Sequence, residues 1–293
     1  MDIGIALPTM CRDYNRAATV EWSRLADQGP VSSISCGERM TYHNQEMWTT
    51  LAAAAAVTER VRIIANVSVV PAHPVALVAK QAATIDVLSE GRFTLGVGVG
   101  GRGGDYRSLG ARADHRHERL DRAVAELRSL WAGESPSDGG DPVGPPCVQP
   151  GGPPLLAGAL GPKSLARAAR WADGVVAFSV GGVPDEIAWS AGAARRAWTD
   201  AGRGSPRLVS GCFYVLGIPD PQTVLHSFTA EYLDFLGSNN AAAAAGAMKT
   251  CDADALHRTL DAAEAAGLDE FILVPGSADR AVLDATLELI AAR

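Results

Sequence analysis

Cysteine is scarce and unpatterned in this chain. Cys11, Cys36, Cys147, Cys212 and Cys251 are the only five in 293 residues, odd in number and without C-x-x-C spacing. That argues against a disulfide framework or a zinc site and fits a reducing cytoplasm. Positive charge is also short: 26 Lys and Arg against 33 Asp and Glu leave a formal charge of −7, and no basic run exceeds Arg195-Arg196. A nucleic-acid partner therefore lacks its electrostatic footprint. No stretch approaches the roughly 20 apolar residues of a membrane helix, so no membrane partner is expected. The opening MDIGIALPTM has no basic n-region and no long apolar h-region, and reads as a first strand rather than a leader. Paired carboxylates and Ser/His/Asp spacing are missing too, which leaves hydrolase chemistry without its parts.

What is present is a rhythm of strand then helix. Strands are expected at Ile3–Leu7, Val31–Cys36, Val61–Val70, Phe93–Gly98, Leu155–Ala159, Val175–Ser179, Leu208–Leu216 and Glu270–Val274. Helical spacing of apolar residues fills the gaps, most cleanly at Leu120, Val124, Leu127 and Leu130 within His115–Trp131. Eight strands, each followed by helix, predict a single (β/α)8 TIM barrel over residues 1–293. Residues 134–154 interrupt the rhythm with seven Pro and five Gly. The alternation resumes at once, so this segment is read as a structural connection at the N-terminal face of one domain.

Function in such a barrel sits where strands end and helices begin. There the run Leu95-Gly-Val-Gly-Val-Gly-Gly101 stands out. Side chains alternate along a strand, so Gly96, Gly98 and Gly100 empty one face while Leu95, Val97 and Val99 fill the other. An emptied face ends a core or lets a flat ligand approach backbone. The run formally matches G-x-G-x-x-G, but it closes a fourth strand and more than ten residues precede the next convincing helix, which disfavours a Rossmann site. Gly158–Ser164, with Gly161, Pro162 and Lys163, is a candidate anion site at a helix start or an ordinary Gly/Pro helix opening. His115 and His117 read as solvated helix-end residues rather than metal ligands, and no metal is expected. His43 and His73 are better placed, at the ends of strands 2 and 3.

With these segments in place the chain resembles the luciferase-like monooxygenase family of flavin- or deazaflavin-dependent oxidoreductases. The resemblance rests on Thr50–Arg62, His73-Pro74, Ala79–Thr84, Leu88–Gly101, Arg119–Asp121, Leu130–Gly133 and Ala168–Gly174. It implies a (β/α)8 barrel, commonly dimeric, with FMN or coenzyme F420 across its C-terminal mouth and a small organic substrate. The ring is expected near Ala65, Asn66 and Val67, with Gly98, Gly100 and Gly101 beneath or beside it. Gly158, Gly161 and Ser179 are expected at the ribityl-phosphate end, and a cis peptide at Asn66–Val67. Where the sugar-phosphate branch keeps a catalytic His and Glu, this chain has Arg39 and Gly101. Glu38-Arg39 puts a charged pair at the strand 2 mouth, expected to orient cofactor or substrate, and acid/base work then falls to Glu38, His43, Asp105 or Tyr106. Hydride transfer and monooxygenation both stay open, as does a relative that binds cofactor without turnover.

Overall fold

The computed structural model describes residues 1–136 and 140–293. Eight parallel strands close into a barrel in chain order: β1 (Asp2–Ala6), β2 (Ser33–Cys36), β3 (Arg62–Ser68), β4 (Phe93–Val97), β5 (Leu155–Gly158), β6 (Gly174–Val176), β7 (Arg207–Tyr214) and β8 (Glu270–Pro275). Helices α1 (Arg16–Gln28), α2 (Met47–Ala56), α3 (Val75–Leu88), α4 (Gly103–Ser108), α5 (Arg116–Trp131) and α6 (Pro162–Ala168) serve the first half. The second half carries α7 (Pro184–Asp200), α8 (Pro221–Leu233), α9 (Ser238–Gly246), α10 (Ala253–Ala265) and α11 (Arg280–Ala291). This is the expected (β/α)8 barrel. No helix among the described residues is long and apolar enough to cross a membrane.

Period-two alternation sorts the strands into two cores. Ile5, Ile34, Ile63, Phe93 and Leu95 face outward and pack with helix residues such as Trp22, Leu51 and Val78. Ala6, Ile64, Leu156, Val176, Val209 and Ile272 face inward and fill the barrel. The fully buried large side chains each contribute about 1.5–3 kcal/mol by leaving water. Helix starts are fixed locally: the Asn15 carbonyl oxygen accepts from the amides of Ala17 and Ala18, and the Glu46 carboxylate accepts from Trp48 and Thr49.

The barrel floor is polar. Glu270, fully buried at the start of β8, accepts from Ser32 at 2.8 Å and Ser33 at 2.5 Å, and pairs with Arg62 at 3.1 Å and Arg207 at 2.7 Å. The Pro/Gly connection lies at this same end. The amides of Val148 and Gln149 donate to Asp86, and the Gln149 amide side chain reaches both Asp86 and the Phe93 carbonyl. Residues 137–139 of that connection lie outside the described residues.

Two local expectations change. Helix α4 begins two residues after Gly101, where a loop is expected. Its Gly-Gly start has poor helix propensity, but tertiary anchors hold it: Asp105 accepts from the amide and hydroxyl of Thr41, and the Tyr106 hydroxyl donates to the Val99 carbonyl. Strand β3 stops at Ser68, short of the expected Val70, where a 3-10 turn over Val70–Ala72 takes over, and within the strand its pairing with β4 slips between Ala65 and Ser68. The Asn66–Val67 peptide in that bulge is cis, as the resemblance implies.

Candidate active site

The bulge explains the glycine run. Slippage turns Val67 inward over β4, where a Cβ on Gly98 would sit 2.8 Å from Val67 Cγ2. A Cβ on Gly96 would lie 2.3 Å from the Ala65 carbonyl oxygen and 3.1 Å from Val67 Cγ1. Gly100, at φ +60°, leaves the same kind of room for Val69, while Gly101 has only the edge of Phe235 at 4.0 Å. The emptied face is therefore occupied by side chains of the neighbouring strand. Gly98 does not itself face the open mouth, and Val67 does.

Above Val67 lies a cavity of ≈ 310 Å³ at the C-terminal ends of the strands. Its wall comes from Ala6, Leu7, Thr9 and Met10 after β1, Ser35 and Gly37 on β2, and Asn66 and Val67 on β3. Gly158 and Leu160 follow from β5, then Val176, Ala177 and Phe178 from β6, Phe213 from β7, Val274 from β8 and Tyr232 from α8. The wall is apolar with a few polar points, the usual composition of a small-molecule site. It contains no Asp, Glu, His, Lys or Arg. Ser35 is fully buried, and its hydroxyl has no hydrogen-bond partner among the described residues. A buried polar atom without a partner costs free energy unless something else satisfies it.

Leu160 and Phe178 also border a second cavity of ≈ 720 Å³, lined by Ser179, Gly181, Glu186, Trp189 and Met248 among others. Ser179 closes a turn there: its hydroxyl donates to Glu186 at 2.6 Å and accepts from the Val183 amide at 2.9 Å. Gly161 caps α6 through Ser164 and has open space where a Cβ would point.

The three expected catalytic side chains all lie outside the mouth cavity wall. Glu38 is consumed by the backbone it supports: one carboxylate oxygen accepts from the Val69 amide at 2.6 Å and Ser68 at 3.1 Å, and the other binds His73. Burial alone would lower the His73 pKa, but the hydrogen bond and charge of Glu38 together hold it above its ordinary value. His43 donates to the Met10 carbonyl at 3.0 Å and lies 3.7 Å from Glu231. Arg39 stacks over Tyr42 instead of pairing with Glu38. Asp105 and Tyr106 are committed to anchoring α4, so they too are structural. Ala65 points outward into the helix-facing core and contributes only backbone. His115 and His117 sit exposed at the start of α5, and no cluster of three metal-ligating side chains occurs among the described residues.

Thr9 falls in the strand-end segment Pro8-Thr9-Met10 that the alternation marks, whereas sequence reasoning passed over Ser35, Phe178, Phe213 and Tyr232. One of these carried a readable signal: in Ser33-Ile-Ser35-Cys36 the alternation puts both serines on the inward face.

A family profile described as luciferase-like monooxygenase matches residues 1–290. A curated relative, the uncharacterized protein Rv0953c of Mycobacterium tuberculosis, is 34% identical over 134 residues, covering 43% of this chain and 48% of that protein. The chain thus spans about half the length of the curated relatives it matches. Among solved structures, an F420-dependent secondary alcohol dehydrogenase in complex with an F420-acetone adduct superposes with TM-score 0.77 at 18% identity, covering 99% of this chain and 98% of that one. The oxygenating constituent of 3,6-diketocamphane monooxygenase from Pseudomonas putida, in complex with FMN, gives 0.72 at 15% identity, covering 99% and 96%. At these identities the likeness is one of fold.

Proposed function

The chain belongs to the luciferase-like monooxygenase family, and we propose that it is an oxidoreductase that holds an isoalloxazine-type cofactor, FMN or F420, in the mouth cavity. The observation that carries this reading is the unpartnered Ser35 hydroxyl in the wall of an otherwise apolar cavity. A flat heteroaromatic ring bearing carbonyls suits both features. Glycines let the neighbouring strand ends close up around the bulge beneath it: a Cβ on Gly37 would lie 3.0 Å from the Asn66 carbonyl oxygen, and one on Gly158 3.3 Å from Val67. The residues present fit the group.

Val67 and the Asn66–Val67 backbone would support the ring, with Ser35 supplying a hydrogen bond. Gly158 and Gly161 would lead the cofactor's side arm past Leu160 toward Ser179. When bound, such a cofactor supplies hydride transfer or, for FMN, oxygen chemistry. The protein's share is orientation and exclusion of water by Phe178, Phe213 and Met10. Since the wall holds no carboxylate or imidazole, no side chain there is suited to take a proton from a substrate hydroxyl. That disfavours interconversion of an alcohol and a carbonyl in either direction, since the reduction needs the same proton delivered, and favours monooxygenation.

The test is titration of purified protein with FMN and with F420, oxidised and reduced, followed by absorbance and fluorescence. Binding of one of them, weakened in Ser35→Ala, is expected. Failure to bind either in any redox state would refute the proposal. Binding without hydride exchange or oxygen consumption across a substrate panel would instead identify a catalytically silent relative.

A further inference from the structure

Beside the mouth, two arginines that the cofactor reading does not use converge on one aromatic ring. The Arg39 guanidinium lies 4.2 Å from the ring centre of Tyr42 and 5.6 Å from that of Tyr232. Arg102 lies 3.9 Å from the centre of Phe235 and 5.0 Å from that of Tyr232. Tyr232 in turn lines the mouth cavity. On its other side is a separate cavity of ≈ 560 Å³ whose wall includes Arg39, Tyr42, Glu231, Tyr232, Asp234 and Phe235.

What this cluster lacks is an acceptor. Among the described residues the Arg39 guanidinium makes no hydrogen bond and no ion pair, and Arg102 reaches only the Tyr232 carbonyl at 3.3 Å. The Nε atoms of both arginines are buried without hydrogen-bond partners among the described residues. The surrounding acids are already engaged. Glu231 pairs with Arg12 at 2.6 Å and faces His43, Asp105 accepts twice from Thr41, and Asp234 accepts from Ser238. Burial, and next the charge of Arg102, pull the Arg39 pKa below its ordinary range. Stacking on rings stabilises a cation, but it satisfies none of the five N–H donors of a guanidinium. Two partly buried like charges with free donors are costly unless an anion joins them.

We propose that Arg39 and Arg102 bind an oxyanion carried by the substrate, a carboxylate or a phosphate ester, and so direct its uncharged end past Tyr232 into the mouth cavity. The planar fork of arginine suits either group. The orienting role rests on the cofactor reading above, whereas anion binding by the pair does not.

The experiment is calorimetric titration of the full chain, at low ionic strength, with benzoate and with phenyl phosphate. It compares the wild type with Arg39→Gln, Arg102→Gln, Arg39→Lys and, as a charge-matched control on the exposed face of α1, Arg24→Gln. Circular dichroism establishes that each variant is folded, and the conservative lysine variant covers a failure of the glutamine one. At least one probe should bind the wild type and the control alike, and about tenfold or more weakly in either glutamine variant. Arg39→Lys should fall between them. FMN and F420 affinities should not change. Equal probe affinity in all variants, or no probe binding to the wild type, would overturn the proposal. A parallel loss of FMN or F420 affinity would also overturn it, by assigning the pair to the cofactor's own phosphate. Probe binding that depends on both arginines in a wild type binding neither cofactor would refute the cofactor reading and leave the anion site standing.

Discussion

If the glycine run exists to seat Val67, the cost of adding a methyl group at Gly98 must depend on what occupies position 67. In Gly98→Ala the new Cβ would lie 2.8 Å from Val67 Cγ2, well inside the 3.5–4.0 Å of a favourable carbon contact. Overpacking of this kind costs about 1–3 kcal/mol. In a Val67→Ala background both γ-carbons are gone and the closest remaining atom, Cβ of residue 67, stands at an ordinary 3.8 Å. Gly98→Ala should then cost nothing, or gain a few tenths of a kcal/mol from the stiffer unfolded chain. The expected coupling in a double-mutant cycle is therefore about 1–3 kcal/mol, read from urea midpoints at constant m. Gly96→Ala is the internal control. Its Cβ meets the Ala65 carbonyl oxygen at 2.3 Å, a backbone atom that Val67→Ala leaves in place, so it should stay destabilising in both backgrounds. Additivity of Gly98→Ala and Val67→Ala to within about 0.5 kcal/mol would refute the idea that this glycine serves that valine.

Three further outcomes are expected. Glu270→Gln should destabilise the fold by about 2–3 kcal/mol, toward the low end for a broken buried pair because Arg62 and Arg207 keep some hydration, yet leave FMN and F420 titrations unchanged; an altered cofactor affinity would show that floor and mouth are coupled. His73 is held above its ordinary pKa of about 6.5, so its pairing with Glu38 should stabilise fully below that pH and fade as pH rises through the raised folded value. The stability gap between wild type and His73→Gln should accordingly shrink as pH is raised above about 6.5, and a flat or growing gap would contradict the pairing. Burial pushes the thiols of Cys11, Cys36 and Cys212 upward, that of Cys36 to about 12, while Cys147 and Cys251 stay half-buried. Alkylation of native protein followed by mass spectrometry should label Cys147 and Cys251 first, and early labelling of Cys212 would mean that the β7 side of the barrel opens.

The strand positions were readable because a parallel barrel repeats one local rule eight times, and periodicity reports that rule directly. The glycine run was readable only in part, for a physical reason. Alternation along β4 shows that a face is empty, but what fills it comes from a slip in β3, about thirty residues earlier, which no pattern in β4 encodes. The partners of the charged residues were less legible still. Glu38 and His73 each sit at a strand end, where a catalytic reading is natural, but their pairing across 35 residues makes both of them supports for the bulge. Asp105 changes role in the same way once Thr41, 64 residues away, is beside it. Arg39 moves in the opposite direction. Next to Glu38 in sequence it suggests a neutralised pair, yet in the fold Glu38 turns inward to the β3 loop and Arg39 is left facing Arg102 and a tyrosine from α8. The loss of that local partner is what converts Arg39 from half of an ion pair into a cation with an unmet need. The chemistry of this mouth thus depends on which side chains the fold leaves unpaired, and for Arg39 and Ser35 only the assembled barrel reveals it.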